Sequence, residues 1–314
     1  MIIITGAGGF IGSCLLGALK NEEVIAVDDF DDPQKQKNIA SKKAMDFWSQ
    51  REFYQRIDNK ISGCEAIIHM GAISSTREEN YSLLLEKNYE CAKKIYAFCL
   101  KNNTRLIYAS SAAVYGKGKR GFFENSINRQ ITKYGYTKYL FDTWMQSREA
   151  LRQCVGLRFF NVYGPNEYHK HGMHSIIYQF YHSLKRNGSV EIYKPDSSEN
   201  KIKSISRDFI YIKDVLPIIT FFLENDCCNG IFNVGTGTSS TYEQAAAAVA
   251  KAMDVKDYSV HYTPMDSKTA LQYQFQTQAC IDKLLSEGGP APKYSLEEGV
   301  KDYVEHYLKH DDYY

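Results

Sequence analysis

The chain has 314 residues, enough to bury a full core as one large or two intimate domains. Its 38 lysines and arginines against 37 aspartates and glutamates leave a net charge of +1, which argues against a dedicated nucleic-acid or anionic-membrane binder. The longest apolar run, residues 215–223, is broken by Pro217 and falls far short of the ~20 residues a membrane span needs.

A first strand beginning at Met1 leaves no room for a signal peptide. The eight cysteines form no C-x-x-C pair and mostly lie among apolar neighbours, so reduced core thiols in a cytoplasmic protein are expected.

Residues 2–4 are a short β-branched run, suited to a strand buried on both faces of a parallel sheet. Glycines follow at Gly6, Gly8, Gly9 and Gly12, and an apolar helical pattern starts at Phe10 and Ile11. Strand, glycine turn and helix N-terminus make an anion cradle. The glycines let the backbone approach a pyrophosphate, and the free N–H groups and dipole of the helix favour its charge.

The second strand, 24–27, ends in Asp28 and Asp29, which lie 19 and 20 residues beyond Gly9. An acid there takes the adenosine ribose hydroxyls. The polar stretch from Asp32 to about Lys43 reads as a solvated loop, with Lys35 and Lys37 as the cations a 2′-phosphate would require. A third strand, 64–70, is followed by Gly71, Ala72, Ile73 and Ser74, whose small side chains let a cofactor lie against the backbone.

Residues 81–101 read as one long helix carrying Asn88, and 105–109 as a strand ending in Ser110 and Ser111. Residues 116–133 read as a loop and a lid over the site, 134–152 as a helix, and 154–160 as a further strand. This alternation means an α/β fold, a Rossmann-type doubly wound parallel sheet.

Past Pro165 the character changes. A histidine-rich loop (166–175), a helix (176–186), a short strand (190–193) and a polar insert (195–206) come first. Residues 207–224 lead through a strand into a helix, 230–234 return to the sheet, and the remainder is mostly helical with a strand near 259–262. The expected organisation is a dinucleotide-binding domain over 1–165, with return segments near 208–237. A smaller interleaved C-terminal substrate domain covers mainly 166–314.

Tyr134 and Lys138 are four residues apart, so on a helix they share a face. A phenol with a pKa of ~10 is a poor base near neutrality, and an adjacent ammonium favours the phenolate by ~1–3 units. Ser111 ends the preceding strand, 23 residues upstream. Serine, tyrosine and lysine at these places form an alcohol-oxidation triad: Ser111 hydrogen-bonds the reacting oxygen and Tyr134 moves its proton. Arg207 stands before a strand, where its guanidinium can grip a diphosphate in bidentate fashion. His171 and His174 have ligand-like spacing, but no nearby carboxylate or thiolate completes a tetrahedral set, so no metal is expected. Lys170, in the same loop, is a second candidate proton carrier.

The runs TGAGGFIG, YASSAAVYG, YGYTK and FFNVYGP, read together, resemble the extended short-chain dehydrogenase/reductases. The more specific runs GAISST, NEYHKHGMHS, SRDFIYIKDV, GIFNVGTG and YQFQTQA resemble, in the same order, those of the ADP-L-glycero-D-manno-heptose 6-epimerase family. The resemblance covers nearly the whole chain. It implies an isomerase that oxidises the 6-hydroxyl of an ADP-linked heptose to a ketone and re-reduces it from the other face, in lipopolysaccharide core precursor synthesis.

The resemblance also implies tightly bound NADP and a homo-oligomer, pentameric in this family. It makes Tyr134 and Lys170 the two proton carriers, with Lys138 and Ser111 at the remaining catalytic positions. Gly6, Gly9, Phe10, Ile11, Gly12, Asp28, Asp29, Lys35, Met70, Gly71, Ala72, Ile73, Ser74, Asn88 and Val162 match cofactor positions, as do Tyr134, Lys138 and Lys170. Ser111, Asn161, Gly172, Gln179, Tyr193, Arg207 and Tyr273 match the substrate side.

The chain departs from the family at four places. Asp29 stands where asparagine is usual and opposes a 2′-phosphate, which keeps NAD open beside NADP. Met70 replaces a frequent glutamate, Gln272 replaces an arginine, and the insert 195–206 is longer than usual; the last two bear on the nucleotide end of the substrate. The alternatives are a UDP-hexose 4-epimerase type of enzyme using NAD and, in a different class, a non-catalytic dinucleotide-sensing protein.

Overall fold

The computed structural model describes the chain except residues 58–60, 127, 129–131, 149, 195–203 and 272, with backbone alone described at 267 and 268. The N-terminal half alternates strands with helices: β1 (Ile2–Thr5), β2 (Val24–Val27), β3 (Asp46–Trp48), β4 (Ala66–His69), β5 (Arg105–Ser111) and β6 (Cys154–Phe159). Every residue of β1, β2 and β4 is buried, as in strands covered on both faces. Side chains alternate across a strand, so Ile2 and Ile4 enter one apolar cluster while Ile3 enters the other, on the opposite face of the sheet.

The chain continues through β7 (Asn161–Tyr163), β8 (Ser189–Lys194), β9 (Ser206–Tyr211), β10 (Gly230–Val234), β11 (Ser239–Thr241) and β12 (Ser259–Pro264). The central sheet has seven strands in the order β10-β6-β5-β4-β1-β2-β3, all parallel. Its strand order reverses between β1 and β4, and at such a point the connections leave to opposite faces and open a crevice at the carboxyl ends of the strands. The glycine turn after β1 and the segment after β4 both emerge there. Beside this sheet lie β11-β9-β7 and the parallel pair β12-β8.

Several elements differ from the sequence expectation. The stretch after Asp32 is a helix, Pro33–Ile39: the Asp32 carboxylate accepts from Gln34 N at 2.8 Å, and proline fits the first helical position. The edge strand β3 and the helix Gln50–Arg56 went unseen, because β3 has three residues and buries only Trp48.

The long helix is interrupted. Tyr81–Leu85 and Cys91–Asn102 flank a π-helical turn, Glu86–Glu90. The helix that carries Tyr134 and Lys138 runs Lys133–Ser147, followed by a 3-10 turn at Ala150–Arg152.

The segment read as a lid is fastened down where it is described. Phe122 packs on Tyr115 and Phe160, and its carbonyl accepts from Asn233 Nδ2 at 2.8 Å. Most of the polar insert, residues 195–203, lies outside the described residues, and so does Gln272. No disulfide joins any of the eight cysteines; Cys227 is exposed rather than in the core. Among the described residues no helix is long and apolar enough to cross a membrane.

Candidate active site

The turn after β1 is shaped by glycine. Gly6 has φ +71°, and a Cβ there would fall 2.6 Å from Gly71 N; a Cβ on Gly12 would fall 2.1 Å from Gly6 O. The first approach reflects backbone contact between the segments after β1 and β4, and the second the tightness of the turn itself. The helix Phe10–Ala18 then starts from Gly9 with no side-chain cap and no acid in its first turn. An uncapped N-terminus with close-packed glycine before it fits a dinucleotide pyrophosphate.

Asp28 is buried and fully engaged: Oδ2 accepts from Gly8 N at 2.9 Å, while Oδ1 accepts from Asp29 N and from Lys35 Nζ, each at 2.8 Å. It braces the turn. Asp29 is the exposed acid of the pair, with Oδ1 3.4 Å from Gln50 N. The Lys35 cation, read from sequence as free for a 2′-phosphate, is paired with Asp28. Lys37 is exposed.

Asn88 sits in the π-helical turn. Its side chain accepts from Ile73 N at 2.9 Å and donates to Ile73 O at 3.0 Å, holding the backbone of the segment Met70 to Ser74. Asn88 Nδ2 also lies 3.3 Å from Thr137 Oγ1 on the helix Lys133–Ser147. Val162 is half-buried beside Ile210 in the β7–β9 ladder.

Ser111 Oγ accepts from Ala113 N at 3.1 Å, and its hydroxyl is near enough to the Tyr134 phenol to lower the phenol's pKa. Lys138 is buried beside them, and its Nζ donates to Ala109 O at 2.9 Å. The expected depression of the Tyr134 phenol by Lys138 does not hold in this arrangement. Burial raises the phenol above its ordinary value, the nearby Ser111 hydroxyl opposes that rise, and the Asp142 carboxylate adds to it. Burial also lowers Lys138 to about 8, against the pull of Asp142.

Lys170 is half-buried with its ammonium 4.3 Å from the centroid of the Phe10 ring. It therefore stands at the start of the helix Phe10–Ala18. Burial lowers its pKa, and Glu167 opposes the shift. Glu167 is itself buried, accepting from Gly164 N at 3.3 Å, Ser175 Oγ at 2.7 Å, Ser175 N and Tyr303 OH at 3.2 Å. It shapes the loop that carries Lys170.

Two histidines of that loop have other partners, His169 facing Asn166 O and His174 stacking on Tyr178, and His171 is exposed. No group of three or more His, Cys, Asp or Glu among the described residues is placed to hold a metal ion.

Four of the residues expected on the substrate side fall into two neighbouring patches. Arg207 is buried with its guanidinium 5.1 Å from the Tyr273 ring and 5.8 Å from the Tyr242 ring, and those two phenols meet at 3.0 Å. A groove of about 350 Å³ brings Gln179 and Tyr193 together with the same Tyr242. Gln179 is exposed and donates to His174 O at 2.8 Å. Asn161 accepts from Thr277 Oγ1 at 3.3 Å, and Gly172, at φ +71°, lies in open space on the Lys170 loop.

With the geometry described, comparison with known proteins adds the family. The NAD dependent epimerase/dehydratase family model matches residues 2–235. The chain belongs to this family. Among curated relatives, the ADP-L-glycero-D-manno-heptose-6-epimerase of Nitratidesulfovibrio vulgaris (strain DP4) is 35% identical over 320 residues, covering 98% of each chain. The protein of the same name from Fusobacterium nucleatum subsp. nucleatum is 36% identical over 331 residues, covering 100% of each. The solved Helicobacter pylori ADP-L-glycero-D-manno-heptose-6-epimerase superposes with a TM-score of 0.82 at 26% identity, over 97% of this chain and 95% of that one. A UDP-N-acetylglucosamine 4-epimerase from Methanobrevibacter ruminantium M1 shares the fold, with a TM-score of 0.85 at 23% identity over 98% of each chain.

In this member of the epimerase/dehydratase family, sequence reasoning missed the residues that hold the helix Lys133–Ser147. Asp142 accepts from Arg158 Nε at 2.9 Å, Ser110 Oγ at 2.9 Å and Tyr108 OH at 3.1 Å. Arg158 continues to Tyr115 OH at 2.9 Å, and Tyr115 donates to Asn233 Oδ1 at 2.7 Å. One signal was available: Arg158 is a lone charge in the apolar strand β6, and such a charge is buried only with a partner. Tyr242, Glu167 and Gln274, which donates to Ala112 O at 3.0 Å and Gly116 O at 2.6 Å, carried no comparable mark.

Proposed function

We infer that this protein is a heptose 6-epimerase acting on an ADP-linked glycero-manno-heptose, with NADP as its resident dinucleotide. The observation that carries the reading is the pairing of two proton carriers with one dinucleotide cradle. The Ser111 hydroxyl at the end of β5 lowers the pKa of the Tyr134 phenol, and Lys170 lies over Phe10 at the start of the glycine-turn helix. Relatives of that name, matched over nearly the whole chain, support the substrate class.

A bound nicotinamide dinucleotide supplies the hydride transfer at the substrate carbon and, when oxidised, a positive charge that opposes the cost of a buried Tyr134 phenolate. Gly6, Gly9, Gly12 and the N–H groups at Phe10 and Ile11 would hold its pyrophosphate, Asp28, Asp29 and Lys35 its adenosine end, and Lys138 its nicotinamide ribose. Ser111 Oγ orients the substrate oxygen, and Tyr134 Oη takes the hydroxyl proton as the 6-ketone forms. After the ketone has presented its other face, Lys170 Nζ gives a proton to the re-reduced oxygen. Solvent exchange resets both groups. Arg207 and Tyr273 bind the nucleotide diphosphate. The setting is lipopolysaccharide core precursor synthesis in the cytoplasm, by a homo-oligomer.

Purified protein, with no added cofactor, is expected to interconvert the two ADP-heptose epimers, followed by anion-exchange chromatography or NMR. Absence of conversion together with turnover of UDP-galactose overturns the substrate assignment. Denaturation followed by mass detection of the released dinucleotide tests the cofactor: NADP supports this reading, and NAD replaces that part of it.

A further inference from the structure

Asn38 belongs to none of the motifs above, yet it is one of the most completely buried polar residues of the chain. It lies on the helix Pro33–Ile39, and its amide nitrogen donates to Gly8 O at 2.9 Å and to Asn166 O at 3.0 Å. The same nitrogen stands 3.3 Å from His169 Nδ1. Its Oδ1 is buried with no partner. An unpaired buried amide oxygen is unfavourable, and the helix does not require it, since leucine or alanine there would avoid the loss. What asparagine adds is the pair of bonds from its nitrogen.

Those bonds join two parts of the site that are far apart in sequence. Gly8 belongs to the glycine turn, and Asn166 begins the loop that carries Lys170. Asn166 takes a left-handed backbone at φ +72°. Its side chain donates to Ser13 Oγ at 2.9 Å on the helix Phe10–Ala18 and accepts from Tyr314 N at 2.9 Å. The loop is thus fastened to the glycine turn through Asn38 and to the dinucleotide helix through Asn166. Lys170, four residues further on, comes to rest over Phe10 of that helix.

The geometry points to Asn38 as a positioning residue that locks the Lys170 loop onto the glycine turn, so that the second proton carrier and the dinucleotide are held in one arrangement. This rests on the role given to Lys170 in the proposed function. The buried side of Asn38 meets backbone carbonyls and a histidine ring, so its requirement is for a donor and not merely for volume.

Asn38→Leu keeps the volume and removes the donor; Asn38→Ala leaves room for a water between the two carbonyls. Three quantities are read on the protein as purified: kcat per bound dinucleotide, KM for the sugar nucleotide, and amide hydrogen exchange over residues 6–12 and 164–175. Asn38→Leu is expected to lower kcat at least ten-fold with KM within three-fold of the parent, and to speed exchange over 164–175 at least ten-fold. Asn38→Ala is expected to move both in the same direction by less, and it carries the test alone if the leucine variant does not fold. Parental kcat and parental exchange in a folded variant overturn the proposal. So does a fall in kcat with exchange over 164–175 unchanged, because Asn38 would then act on the turn alone. If the parent protein epimerises no ADP-heptose, the proposed function fails, while the exchange comparison still decides what Asn38 does.

Discussion

Burial pushes the Tyr134 phenol above its ordinary value, whereas the ammonium of Lys138 is turned to the Ala109 carbonyl. Helical spacing correctly put the two residues on one face, but it says nothing about where the ammonium spends its hydrogen bonds. At this scale the legible residues were those whose chemistry is local: Ser111, Tyr134 and Lys138 lie within one strand–helix unit. Asp142 sits four residues past Lys138, but its meaning depends on Arg158 from the next strand. Removing the Tyr134 hydroxyl or the Lys170 ammonium tests the two-carrier scheme. Tyr134→Phe and Lys170→Met are each expected to lower kcat by about 10²–10⁴-fold, the range for loss of a general acid or base. Both should retain the dinucleotide and the parental melting temperature. Near-normal turnover by Lys170→Met retracts the role given to its loop.

Among the elements, the glycine turn shows how a short motif depends on a distant partner. Gly6 needs its positive φ for the turn, but the close approach of Gly71 is set by the pairing of β1 with β4. Gly6→Ala therefore meets backbone strain and a backbone clash together. It is expected to destabilise the fold by about 1–3 kcal/mol and to be purified with little bound dinucleotide, read from the melting temperature and from mass detection after denaturation. A parental dinucleotide content would show that the turn does not carry the cofactor. Elsewhere, strong periodicity was read well and weak periodicity poorly. Val24–Val27 and Gly230–Val234 were read to the residue. The helix Pro33–Ile39 was hidden by its polarity, although Asp32 and Pro33 form a capped start. The π-helical turn at Asn88 has no sequence period of its own. Such turns cluster at functional sites, and here the turn lets Asn88 hold the Ile73 backbone.

Over the whole molecule, two histidines link stability to pH. His69 is buried against Thr5, and burial, with the nearby Lys138 charge, lowers it to about 3; burial and the charges of Lys170 and Lys35 lower His169 to about 4. In the unfolded chain both return to the ordinary value near 6.5, so below that pH the unfolded state binds more protons than the folded one. Their neutral forms stabilise the fold fully above about pH 6.5. The contribution is lost as pH falls toward 3 and 4, at about 1.4 kcal/mol per pH unit for each group. Urea unfolding between pH 7 and pH 4 should show this loss, and His69→Asn should flatten it. An unchanged slope in the variant would assign the acid lability to other groups.

Sequence alone determined the strand–helix alternation, the anion cradle, the Ser111–Tyr134–Lys138 spacing and the family resemblance. Each is written in local periodicity or in short motifs whose geometry is set within a few residues. Only the tertiary structure decided which charges are spent on one another: Lys35 on Asp28, Arg158 on Asp142, and Glu167 on the loop that carries Lys170. It also decided that Asn38 reaches Asn166. Such pairings follow from the strand order and from how loops stack at the carboxyl edge of the sheet. A polar side chain in the sequence carries no mark of which distant partner burial will force upon it.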